Sequence, residues 1–225
     1  LYTFRLKEPG FGVDLGIAGG RFSELRFGYQ LARQTLDTTQ GTPVLPDIQG
    51  NQSLLRLRFA FDNQDRAAIP THGIRSLTEA QWVMASPVAQ KAYPYFSSDF
   101  SWARLLAPRY IFITTINGGT TGSGQIPLPL FSLGGSLRLR ALDRNQLLGS
   151  SYYYGSMNLL RSLSDKPLSM FGKLYLAGSY EIGNAFFRHQ SANPFQDGSF
   201  GIVGETFIGV IFFGGSVGED GDAKI

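Results

Sequence analysis

Cysteine is absent from all 225 residues, so no disulfide framework holds this chain and none can mispair in an oxidising compartment such as a periplasm. Charge is sparse as well. Asp, Glu, Lys and Arg make up 16% of the residues, against about 25% in ordinary soluble domains, yet mean hydropathy is close to neutral. Few charges with neutral hydropathy require apolar residues to alternate with Gly, Ser, Thr and Asn. No apolar run is long enough to span a membrane as a helix. The longest uncharged stretch, Tyr110–Leu137, is broken by Gly118, Gly119, Gly122, Gly124, Pro127 and Pro129, which excludes a spanning helix. Histidine is limited to His72 and His189, both in predicted connections and without metal-ligand spacing. No strand-turn-helix nucleophile elbow is expected, and no pair of carboxylates sits in an obviously shared pocket. The segment Gly118–Gly124 lacks the Lys and following helix of a phosphate loop, and reads as a flexible loop. Catalysis, metal and cofactor are therefore not expected. The net charge of +3 comes from scattered Arg and Lys, so nucleic acid is not an expected partner.

What is present is a period of two. Leu55, Leu57, Phe59 and Phe61 alternate with Arg56, Arg58, Ala60 and Asp62, and Leu25, Phe27, Tyr29 and Leu31 with Glu24, Arg26, Gly28 and Gln30. Such segments are strands with one apolar and one polar face. Alternation alone does not say whether the apolar face meets a core or lipid. Length favours lipid, because many segments exceed the common five or six residues and reach what a tilted transmembrane strand needs. Further strands are predicted at Ile74–Ala85, Tyr95–Leu105, Arg109–Gly118, Ser151–Leu163, Met170–Gly183 and Phe200–Phe213, the last with a break near Phe207 to Gly209. Aromatics gather at segment ends (Tyr93, Tyr95, Tyr152, Tyr153, Tyr154, Phe186, Phe187, Phe195, Phe200), as in interfacial girdles.

Connections alternate in length: long at 33–51, shorter at 63–73, an insert at 86–93, tight at 105–108, very long at 118–151, short at 163–168, long at 184–198. Successive antiparallel connections fall at opposite ends of a sheet, so the long ones share an end, as in outer-membrane barrels. The expected fold is one all-β domain over residues 1–225, an antiparallel transmembrane β-barrel. About eleven or twelve strands are expected, a fragment of a barrel of about sixteen. The chain starts within a strand (Leu1–Lys7) and stops at Ala223-Lys224-Ile225 without a closing aromatic strand, which reads as truncation at one or both ends.

Two segments carry more specific information. One is Phe61-Asp62-Asn63-Gln64-Asp65-Arg66-Ala67-Ala68-Ile69-Pro70-Thr71-His72-Gly73. The other is Leu133-Gly134-Gly135-Ser136-Leu137-Arg138-Leu139-Arg140-Ala141-Leu142-Asp143, in the longest loop. In this order and on these connections they resemble the bacterial surface-antigen barrel superfamily, which includes the outer-membrane assembly barrel and the two-partner secretion transporters. Tyr175–Asn184, with Leu133-Gly134-Gly135 and Leu147-Leu148-Gly149, resembles the subgroup whose barrel follows a patatin-like lipase. The match covers most of the chain from about residue 50.

The resemblance implies a long loop folded into the lumen, with Leu139, Arg140, Ala141 and Leu142 as its tip. Ala141 stands where the family has Gly, and Leu142 where it has an aromatic. It also implies a loop-to-wall ion pair. Parity on Met170–Gly183 puts Leu174, Leu176, Tyr180 and Ile182 on one face and Lys173, Tyr175, Ala177, Ser179 and Glu181 on the other. Arg140 with Glu181 is the expected lock, with Arg138 as the rival cation. Asp62, Asp65, Pro70 and Gly73 are expected to shape a periplasmic turn, through carboxylate caps, a fixed φ and a tight strand entry.

The function that follows is an outer-membrane barrel anchoring, exporting or presenting an upstream patatin-like lipid acyl hydrolase whose catalytic dyad lies outside this chain. A translocation or assembly barrel, a passive porin and a soluble β-sandwich remain open alternatives. Expected partners are outer-membrane lipids and an upstream domain of the same polypeptide; a homodimer stays open.

Overall fold

The computed structural model describes residues 3–40, 48–87, 89, 91–122, 130–163, 172–188, 190–206, 209–219, 221 and 223–224. The expectations for His189, the stretch 123–129, the start of the strand at Met170, and Phe207 lie outside these residues. The described residues form strands β1 (Thr3–Lys7), β2 (Gly10–Gly19), β3 (Ser23–Gln40), β4 (Ile48–Asp62), β5 (His72–Ala85), β6 (Tyr93–Ala107) and β7 (Tyr110–Thr121). These are followed by β8 (Phe131–Leu133), β9 (Leu147–Gly149), β10 (Ser151–Ser162), β11 (Leu174–Phe186), β12 (Phe195–Thr206), β13 (Gly209–Gly218) and β14 (Ala223–Lys224). Hydrogen-bonded order runs β1-β3-β4-β5-β6-β7-β10-β11-β12-β13-β14 with β2 also on β3, while β8 and β9 form a ribbon of their own. The order is open at both ends, so the described strands do not close the sheet.

Two compact units emerge. The first comprises Leu1–Ala60, Thr78–Ser97 and Thr120–Leu130; the second comprises Phe61–Leu77, Ser98–Gly119 and Phe131–Ile225. In the first, β2 and β3 pair from Gly19↔Ser23 to Gly10↔Ala32. This register sets Phe11, Val13, Leu15 and Ile17 opposite Leu31, Tyr29, Phe27 and Leu25, giving cross-strand apolar pairs on one face. That face is open: Leu15 and Ile17 are each 74% exposed. On the other side Leu54, Val83 and Tyr93 cluster, with Gln34 and Gln52 also buried. The expected long insert at 33–51 is largely strand. β1 pairs along the far half of β3 from Lys7↔Thr35, and the Arg33 amide donates to the Pro9 carbonyl at 2.8 Å. Each backbone group thereby finds a partner that a loop would have left to solvent.

In the second unit β10, β11, β12 and β13 form an antiparallel meander in continuous register. The predicted strand Phe200–Phe213 is instead a hairpin. Thr206 pairs with Gly209, Gly209 has φ 131°, and the Thr206 hydroxyl donates to the Gly209 carbonyl at 2.8 Å. The change of parity near Glu205 marks the reversal of chain direction. The connection expected to be tight at 105–108 is a two-residue turn at 108–109 between β6 and β7.

One set of apolar side chains of this meander points outward: Phe200 is 62% and Phe213 77% exposed. Phe200 lies between Gly178 and Gly215 on the neighbouring strands, so its ring covers backbone that the glycines leave bare. Not all aromatics follow the girdle pattern. Tyr93, Tyr152 and Tyr154 are buried, because parity places them on the opposite face. Tyr153 and Phe186 meet as an outward ring pair, 6.3 Å between centroids.

Candidate functional site

Residues 131–149, in the connection between β7 and β10, pack on the buried face of the second unit as a folded body. Its base is the ribbon of β8 and β9, paired from Phe131↔Gly149 to Leu133↔Leu147. Gly134, at φ 111°, turns the chain where an added Cβ would strike the Asp143 carbonyl. The tip is then braced by Arg138 N–H on the Gly135 carbonyl at 3.2 Å and Leu142 N–H on the Leu139 carbonyl at 3.0 Å. Leu133, Leu139 and Leu142 pack with Tyr152, Tyr154 and Ala185 of β10 and β11. Leu139, fully buried, has φ 53°, a left-handed conformation that costs a non-glycine residue about 1–2 kcal/mol. Burial of its side chain offsets that cost. Ala141 is not left-handed, so Ala in place of the family's Gly meets no backbone obstacle. Leu142 occupies the aromatic's place as a core residue, 4% exposed.

β11 and β12 supply the receiving surface. Their register sets Glu181 opposite Asp197 and Ser179 opposite Ser199. Period two keeps all four on the buried face, as a two-by-two polar patch. Onto it comes the tip. The Leu139 amide donates to Glu181 Oε2 at 2.5 Å, and the Arg140 guanidinium forms an ion pair with Glu181 Oε1. Arg140 Nη1 also donates to Ser179 Oγ at 2.9 Å and Ser199 Oγ at 3.1 Å. The Ala141 amide donates to Asp197 Oδ2 at 2.9 Å. Arg140 Cζ lies 5.0 Å from the Phe212 ring centroid on β13, a cation–π contact. Glu181 is only 1% exposed, and a buried carboxylate is tolerable because both oxygens are occupied by donors.

Arg138 does not compete for Glu181. Its Nη2 stands 3.8 Å from Asp99 Oδ1 of β6, and its Cζ 5.9 Å from the Tyr154 ring. Asp143 carries the loop's outer side, accepting from Lys224 Nζ of β14 at 2.7 Å in an exposed pair. Ser179 was placed on the face of Glu181 by parity alone; Asp197, Asp99 and Ser199 were not singled out from sequence. Asp197 and Ser199 lay in a stretch assigned to a loop up to residue 198 and to a strand from 200. Extending the alternation of Phe200 and Ile202 back two residues would have found them.

The turn at 62–73 folds onto the same unit. Asp62 Oδ1 accepts the Gln64 amide at 3.0 Å and Asn63 Oδ1 the Ile74 amide at 2.6 Å. Asp65 accepts the amides of Thr71 and His72 at 2.8 and 3.0 Å and the Thr71 hydroxyl at 2.5 Å. Burial pushes the Asp65 carboxyl up, but the Thr71 hydroxyl and the His72 and Thr71 amides outweigh it and hold its pKa at about 2. Gly73, at φ 111°, passes too close to the Asn63 carbonyl to admit a Cβ. Pro70 and Ile69 are buried, and Ile69 joins Ile111, Leu160, Tyr175, Ala177 and Val203. The turn therefore folds inward onto an apolar cluster.

The Omp85 superfamily domain matches residues 1–201, and the chain belongs to that superfamily. It is thus a β-barrel domain of the bacterial outer membrane, and its exposed apolar face is the lipid face. The crystal structure of BamA from Haemophilus ducreyi lacking POTRA domains 1-3 has the same fold, with a TM-score of 0.79 at 15% identity. The alignment covers 96% of this chain and 51% of that one, so the chain spans about half of that protein's length. No curated protein matches the sequence.

Proposed function

We propose that this Omp85-superfamily barrel holds an upstream domain of the same polypeptide at the outer membrane and presents it there, with the loop 131–149 locked inside. The observation that carries this reading is the joint capture of the tip. Glu181 takes a charge and an amide, Asp197 takes the next amide but one, and the two acids face each other across adjacent strands. A loop held by its backbone as well as its charge stays on the interior face, which does not suit a passive porin. The partner domain that the sequence favours is a patatin-like lipid acyl hydrolase, on the strength of Tyr175–Asn184 and the Leu-Gly-Gly and Leu-Leu-Gly segments flanking the tip. Deleting residues 1–225 from the parent gene is the test. Release of the upstream domain from the outer-membrane fraction supports anchoring, and unchanged fractionation refutes it.

A second reading is a barrel that inserts or exports other polypeptides. Superfamily membership and the fold shared with BamA favour it. Depletion of the parent protein separates the two: a fall in the levels of other outer-membrane or secreted proteins supports this reading.

A further inference from the structure

The turn end of the second unit contains a cavity of about 300 Å³ that neither reading uses. Three cationic residues line it, from three separate parts of the chain: Arg66 in the 62–73 turn, Arg109 in the tight turn after β6, and Lys173 just before β11. Thr71, Ser162 and Tyr175 add hydroxyls, and among the described residues no carboxylate lines it. Two acids next to these residues, Asp65 and Glu205, are engaged by other donors. Asp65 Oδ2 stands 3.9 Å from Arg66 Nε, but its oxygens accept the Thr71 and His72 amides and the Thr71 hydroxyl. Glu205 Oε2 accepts the Lys173 amide at 3.3 Å. Leu105 and Ile111 complete the wall on its apolar side, which lowers the local dielectric and strengthens any charge interaction there.

We propose that this cavity binds a phosphoryl oxyanion, supplied by a lipid headgroup or by free phosphate. Converging like charges disfavour one another and an anion with several oxygens relieves them together. The guanidiniums offer planar forks and the ammonium a point charge, and the volume takes a phosphoryl group with several waters. The Asp-rich turn therefore shapes a ligand site as well as the rim. Tyr175 and Ile111 stand on the face away from lipid, so a headgroup would have to reach in past the turn.

The test uses the full-length protein in neutral detergent, titrated by calorimetry with inorganic phosphate in one arm and with short-chain phosphatidylglycerol in the other. Short-chain phosphatidylcholine serves as the zwitterionic control. Binding in the first arm identifies free phosphate; binding in the second alone identifies a headgroup. Arg66→Gln and Lys173→Gln each weaken binding about tenfold, Lys173→Arg retains it, and Arg104→Gln, an exposed cation of β6 outside the cavity, leaves it unchanged. Heat-modifiable gel mobility verifies that each variant is folded. Binding in neither arm, or equal binding by the folded Arg66→Gln/Lys173→Gln double variant, overturns the proposal.

Discussion

Glu181 holds Arg140 with one carboxylate oxygen and the amide of Leu139, the residue before it, with the other. A single wall side chain thus fixes both the charge of the loop tip and the path of its backbone. Removing either partner leaves the other buried and uncompensated, at a cost of about 3–5 kcal/mol. Arg140→Ala and Glu181→Gln are expected to lower the temperature at which the folded barrel loses its fast gel mobility. The charge swap Arg140→Glu/Glu181→Arg is expected to recover only part of the loss, because an arginine at 181 cannot accept the Leu139 amide. Complete recovery would show that the backbone bond contributes nothing.

Asp197→Ala strands the Ala141 amide on the buried face. The expected cost is about 1–3 kcal/mol, seen as faster hydrogen exchange at residues 139–142 with the sheet amides unchanged. Asp197→Asn keeps an accepting oxygen and should exchange near the wild-type rate.

Leu139→Gly sets two effects against each other. Glycine relieves about 1–2 kcal/mol of left-handed strain, while loss of a fully buried leucine costs about 2–5 kcal/mol. The cavity term wins, so the variant is expected to have a looser tip and greater protease cleavage within 136–145. A more stable loop would place the strain above the packing.

The 62–73 turn responds to acid through Asp65. Its folded pKa of about 2 lies below the unfolded value of about 3.9. Its stabilising effect is therefore complete above the unfolded pKa and is lost as pH falls through the folded one. Exchange at the Thr71 and His72 amides should accelerate, relative to the sheet amides, as pH drops from about 4 to 2. In Asp65→Asn this relative change should vanish; its persistence would assign the acid response to another group.

Met157 tests the lipid face. It is 58% exposed on β10, with Ser156 buried beside it. Met157→Arg is expected to cost about 2–4 kcal/mol of membrane stability if it lies near mid-depth, measured by unfolding from vesicles. An unaffected midpoint would mean this face does not meet acyl chains.

Much of this was legible in the chain itself. Alternation located most strands and the parity of β11, and parity alone set Glu181 on the side away from Tyr180. The tip motif named Arg140. What failed did so for local reasons. The stretch 33–40 looked like a loop because its partner, β1, lies far away in sequence. The reversal at 206–209 looked like a break in one strand because both arms are apolar on the same face. Arg138 looked equivalent to Arg140 until Asp99, 39 positions upstream, drew it elsewhere.

The sequence by itself determined the period-two faces, since alternation in the strand puts neighbouring side chains on opposite sides whatever the partner. It also determined that Glu181 shares a face with Ser179 and not with Tyr180. Only the tertiary structure decided that Asp197 stands opposite Glu181, that Leu139 rather than Ala141 turns left-handed, and that three distant cations share one cavity. Those outcomes depend on strand register and loop packing, which arise between residues far apart in the chain, and no local pattern encodes them.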